Sequence, residues 1–150
     1  MVTRLANLLE SIKETEIDAL FLSTGPNIRY ISGFTGSTAA VLVHPAKNCI
    51  ITDFRYIEQA EAQCPQFEVV RWSKETGPIE QILNGLVEHL GIKKLGFEQH
   101  GVNYEAYAKL AEALPKVELV GAKGLVEKLR YVKDEQEGQA IAQAAKFSDR

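Results

Sequence analysis

Two apolar runs, residues 39–43 and 49–52, lie only five residues apart, across His44-Pro45-Ala46-Lys47-Asn48. A connection that short suits an antiparallel hairpin and leaves no room for a crossover helix. Elsewhere the chain alternates between helical and extended patterns, and alternation implies crossovers between parallel neighbours. A sequence holding both must build a mixed sheet with helices over it. The expected fold is therefore α/β, with a mixed, about six-stranded sheet.

The elements can be placed one by one. Leu5, Leu8, Leu9 and Ile12 follow i, i+3, i+4, i+7, one face of a helix with Thr3 as the expected N-cap. Residues 19–22 read as a buried strand stopped by Ser23-Thr24-Gly25-Pro26, after which Asn27, Arg29 and Tyr30 are expected in a loop. Phe54, Ile57, Ala60 and Cys64 form a helical stripe ended by Pro65, and residues 67–72 a strand. Ile79, Ile82, Leu83, Leu86, Val87 and Leu90 make the clearest helix, with Pro78 at its start and Gly91 past its end. A strand at 94–97, a helix capped by Asn103 and ended by Pro115, a strand at 117–120 and a short helix at 125–129 complete the pattern. Ala140, Ile141, Ala144, Ala145 and Phe147 then lie on a last helix that needs a surface to cover. The reading divides the chain into a domain over residues 1–131 and a linker helix over 132–150 that leads toward a second domain.

Composition narrows the function classes. With 45% hydrophobic and 25% charged residues, the 150-residue chain can build a core without disulfide or metal staples. A net charge of −3 without a basic cluster argues against nucleic acid as a partner. No run reaches the length of a membrane span, and the start of the chain lacks a signal-peptide core, so no membrane partner is expected. The two cysteines, Cys49 and Cys64, form no CxxC pair and fit a reduced, cytoplasmic protein.

The residues that could carry chemistry are few. His44, His89 and His100 are far apart, no HExxH occurs, and each reads as a loop or solvated residue. Neither a GxSxG elbow nor a phosphate loop is present. Gly33-Phe34-Thr35-Gly36-Ser37-Thr38 is a tight turn ahead of a strand. It either lets backbone pass close by or walls a cleft, with Phe34 offering a flat apolar surface. Thr52-Asp53-Phe54-Arg55-Tyr56 sits where a strand gives way to a helix, the end of an α/β sheet where ligands gather. Asp53 can equally be an ordinary N-cap, Arg55 its ion-pair partner and Tyr56 a packing residue.

Four segments together resemble a known family: residues 27–37 (NIRYISGFTGS), 51–60 (ITDFRYIEQA), 95–98 (LGFE) and 129–135 (LRYVKDE). Their order and spacing are similar to the N-terminal domain of the creatinase/prolidase/aminopeptidase P family, a ribonuclease H-like fold. The resemblance implies a non-catalytic domain of a peptidase that hydrolyses Xaa-Pro bonds, as a dipeptidase or an aminopeptidase. It implies two divalent metal ions, manganese, cobalt or zinc, held by a following C-terminal domain and none held here. It implies a homodimer in which this domain helps to close the substrate cleft. By the same resemblance Phe34, Arg55 and Tyr56 are expected to face the cleft, and Asn27, Tyr30, Gly33, Gly36 and Asp53 to form the structural motif. A peptide- or protein-binding module of the same fold is the alternative, and a stand-alone nucleotide-binding domain a third. Gly138 departs from the apolar residue expected in the linker helix, at a cost of about 1 kcal/mol against Ala.

Overall fold

The structure is a computed structural model that describes residues 2–148. Helix α1 (Val2–Glu14) leads into strand β1 (Ala19–Leu22), helix α2 (Gly25–Ser32) and the hairpin of β2 (Ala40–Val43) and β3 (Cys49–Asp53). A 3-10 turn at Phe54–Tyr56 precedes α3 (Ile57–Gln63), β4 (Glu68–Trp72), α4 (Ile79–Leu90), β5 (Lys94–Glu98) and α5 (Tyr104–Ala113). Strand β6 (Glu118–Ala122), α6 (Leu125–Tyr131) and α7 (Glu135–Ser148) follow.

The six strands form one sheet in the order β4-β3-β2-β1-β5-β6. Strand β2 pairs antiparallel with both β1 and β3, whereas β1–β5, β5–β6 and β3–β4 pair in parallel. The hairpin expected from the five-residue connection is thus present and makes β2 the one reversed strand. The consequence matters for the site: the carboxyl ends of the other five strands and the start of β2 share one edge of the sheet.

Side chains alternate across the central strands and feed two cores. Leu20, Leu22, Val41, Val43 and Ile50 face Leu5, Leu8 and Ile12 of α1, Ile28 and Ile31 of α2 and Val126 of α6. Ala19, Phe21, Ala40, Leu42, Cys49 and Ile51 face Leu83 and Val87 of α4 and Leu110 of α5. Burial on both faces explains why these strands read as continuous apolar runs. Each fully buried Leu or Val contributes about 1.5–3 kcal/mol relative to an exposed one.

Three local expectations are corrected. Thr3 lies inside α1, which already runs from Val2, and is no N-cap. Asn27, Arg29 and Tyr30 lie on a helix, because Pro26 occupies its first turn, where a missing N–H costs nothing, and Ile28 and Ile31 supply a buried stripe. Phe54 is 69% exposed and leaves the stripe of Ile57, Ala60 and Cys64, because the chain opens as a 3-10 turn before α3. Helix α7 does not cover the sheet: Ile141 and Phe147 stay exposed.

Candidate functional site

Two clusters occupy the shared edge. The first follows β3. Asp53 caps the 3-10 turn by accepting the Arg55 backbone N–H at 3.0 Å, and its carboxylate also takes the Arg55 guanidinium at 3.0 Å (Nε) and 2.8 Å (a terminal N–H). The Arg55 side chain is 57% exposed, while Asp53 is buried. That hydrogen-bonded guanidinium, helped by the backbone N–H, holds the Asp53 carboxyl below its ordinary range and raises Arg55 in return. Arg55 also lies 5.2 Å from the centre of the Tyr56 ring. The Tyr56 hydroxyl and Ser37 Oγ share a 2.6 Å hydrogen bond, which pulls the phenol below its usual value.

Phe34 belongs to this cluster but does not offer a surface. It is 2% exposed and meets Tyr56 edge-on, with ring centroids 5.7 Å apart at 87°. The turn above it needs its glycines. Gly33 ends α2 in the left-handed region at φ 81° and donates to the Arg29 carbonyl at 2.9 Å. A Cβ on Gly36 would stand 2.7 Å from Phe34 Cε1 and 2.9 Å from Tyr56 Cδ1. Arg55 and Tyr56 therefore reach the outer surface of this edge, whereas Phe34 supports them from below.

The second cluster is one that the sequence did not single out by role. Glu98, at the end of β5, is 3% exposed. One carboxylate oxygen accepts the Ser23 and Thr24 backbone N–H groups at 2.7 and 2.8 Å. The other accepts the Thr24 hydroxyl and the Asn27 amide N–H, both at 2.6 Å. Asn27, 1% exposed, donates again to Glu127 at 2.5 Å and accepts from Arg130 at 3.0 Å. His100 Nε2 lies 3.0 Å from the same Glu127 oxygen. The network ties β1, α2, β5 and α6 together. Its traces in the sequence were Asn27 in the structural motif and an acid closing the buried run Leu95-Gly96-Phe97, since a charge at that depth requires partners.

Tyr30 joins the same helix pair. Its hydroxyl donates to the Leu129 carbonyl at 3.1 Å, and its ring lies 4.2 Å from the Arg4 guanidinium carbon. Arg4 in turn donates to the Tyr30 carbonyl at 3.2 Å and pairs with Asp134 at 2.5 Å and Glu137 at 3.4 Å. Burial raises the Tyr30 phenol.

The metal question can be tested on the donor set. His44 accepts the Ala46 N–H through Nδ1, His89 is exposed on α4, and His100 joins Glu127. Among the described residues no three His, Cys, Asp or Glu side chains come together as a cation site. These residues do not fit a dinuclear centre. Among the described residues, no helix is long and apolar enough to cross a membrane.

Fold and sequence together define a class. Residues 4–132 match the Creatinase/Prolidase N-terminal domain, and the chain belongs to that family. Among relatives, an uncharacterized peptidase, YqhT, of Bacillus subtilis (strain 168) is 37% identical over 146 residues, covering 97% of this chain and 40% of its own length. Among solved structures, a Xaa-Pro dipeptidase from Bacillus anthracis superposes with a TM-score of 0.86 at 36% identity, over 92% of this chain and 38% of that one. The N-terminal domain of the cytoplasmic peptidase PepQ from Mycobacterium tuberculosis superposes at 0.77 with 37% identity, over 85% of this chain and 98% of that one. The chain thus spans about two fifths of the length of the full peptidases it resembles.

Proposed function

We propose that this chain serves as the N-terminal, non-catalytic domain of a cytoplasmic peptidase that hydrolyses Xaa-Pro bonds with two divalent metal ions, manganese, cobalt or zinc, held in a following domain. The observation that carries the reading is the match of residues 4–132 to the family's N-terminal domain. Helix α7 supports it, because Ile141 and Phe147 stand open to solvent on a helix with no apolar cover of its own. In this reading residues 1–131 form the domain and 132–150 the helix that leads to the catalytic part. Family relatives include a Xaa-Pro dipeptidase and an N-terminal domain of a cytoplasmic peptidase, which supports these substrates and this compartment.

Within that enzyme the shared sheet edge faces the substrate cleft, in the same subunit or across a homodimer. Arg55 and Tyr56 are the residues it offers. The carboxylate of Asp53 fixes the Arg55 fork, so the guanidinium meets a peptide carboxylate or carbonyl without first losing side-chain freedom. Phe34 acts one layer below, by fixing the Tyr56 ring.

The test compares two proteins with a Xaa-Pro peptide and manganese. The 150-residue chain should show no turnover, and a longer protein carrying the downstream domain should cleave the Xaa-Pro bond, in longer peptides as an aminopeptidase or in dipeptides as a dipeptidase. Robust cleavage by the 150-residue chain would sink the assignment. In the longer protein, Arg55→Ala should raise KM more than it lowers kcat if Arg55 binds rather than reacts.

A further inference from the structure

A cavity of about 480 Å³ opens between the start of α1, helix α2 and the start of α7, lined among others by Arg4, Arg29, Thr35, Arg130 and Glu137. Three guanidinium groups share it with one carboxylate, although the whole chain is net negative. Arg4 is neutralised by Asp134 and Glu137. Arg29 and Arg130 are different: among the described residues neither has a carboxylate within 4.0 Å.

Arg130 is also not free to swing away. One of its terminal N–H groups donates to Asn27 Oδ1, and Asn27 is itself 1% exposed and held from its other side by Glu98 and Glu127. A buried network therefore aims a half-buried guanidinium while using only part of its five-donor fork. Two guanidinium groups without a carboxylate in contact line one half-enclosed space beside Glu137, and an anion between them offsets their mutual repulsion. The guanidinium plane matches the paired oxygens of a carboxylate or phosphate.

We propose that this cavity is an oxyanion-binding site in which Arg29 and Arg130 hold a carboxylate or phosphate group of a small ligand. Arg130 is the pre-oriented half of the clamp, and the exposed Arg29 closes on the ligand from α2. Asn27 is its positioning residue, since it touches Arg130 and does not line the cavity.

The test is an amide-resolved NMR titration of the chain with sodium phosphate and, separately, sodium succinate, at ionic strength held constant with sodium chloride. Shifts should centre on the Gly33 and Thr35 amides and the Arg29 and Arg130 side-chain N–H groups, and should saturate. Saturation by phosphate alone assigns the site to phosphate groups; saturation by both assigns it to oxyanions generally. Arg29→Gln should weaken binding roughly tenfold, the share of one charge-assisted hydrogen bond. Because Arg29 is exposed, that variant keeps its fold and remains informative even if Arg130→Gln does not. Shifts that grow linearly without saturating, that chloride reproduces, or that Arg29→Gln leaves unchanged would each overturn the site.

Discussion

Two carboxylates end strands on one sheet edge, with two strands between them, and their partners come from opposite distances along the chain. Asp53 finds its partner two residues along the chain, and that partner is 57% exposed. Glu98 finds its partners 71 to 75 residues away, and is 3% exposed among them. The first carboxylate, also buried, is a local cap whose one side-chain partner stands open to water, which keeps the worth of the pair modest. The second is a buried charge that stays only because four donors meet it. An acid at a strand end can thus be a tether for an exposed arginine next to it in the chain, or the joint that holds four elements together.

The sharpest way to break this contrast is to remove Glu98. Glu98→Ala should cost about 3–5 kcal/mol, because it takes the shared acceptor from the part-buried Ser23 and Thr24 N–H groups, the Thr24 hydroxyl and the buried Asn27 amide at once. The urea midpoint should fall accordingly, with the slope little changed. A loss no larger than that of an exposed pair would show that the network is decorative. Asn27→Ala should cost less, about 1–3 kcal/mol, since Glu98 keeps its bonds to Ser23 and Thr24.

Asp53→Asn comes next and should shift the midpoint by only a fraction of the Glu98 effect. Its pH dependence sharpens the comparison. The folded carboxyl of Asp53 sits below its ordinary value of 3.8, so the stability it contributes is present above that value and is lost as pH falls through the folded one. The gap between wild type and Asp53→Asn should therefore be widest near neutrality and should close below pH 3.8. A gap that widens on acidification would contradict the Arg55 pairing. Smallest of all, Phe147→Ser should change the stability of the chain by no more than about 0.5 kcal/mol, because Phe147 contributes to neither core.

Much of the fold was readable before any coordinates. The hairpin followed from loop length alone, and α4 followed from its apolar period with Pro78 and Gly91 at its ends. Asn103 was legible as a cap, and its side chain does accept the Ala106 N–H at 2.9 Å. The Asp53-Arg55 pair was one of the open readings, and it was accessible because both residues lie in one turn. Helix α2 was missed because Gly25-Pro26 carries the same letters whether it ends a strand in a turn or starts a helix, and only the burial of Ile28 and Ile31 decides between them. Phe34 was expected at the surface, yet packing under Gly36 and against Tyr56 buries it, a contact between segments some twenty residues apart.

By itself the order of residues determined the period of each element, the turns that join them and the mixed character of the sheet, since these depend on neighbours within a few positions. It also carried the family resemblance, because motif order survives in the chain. Only the tertiary structure decided that Asn27, Glu98, Glu127 and Arg130 form one network, and that Arg29 and Arg130 share a cavity. The physical reason is that a buried charge is stabilised by whatever donors the folded chain brings within about 3 Å, and separation along the sequence places no limit on where they come from.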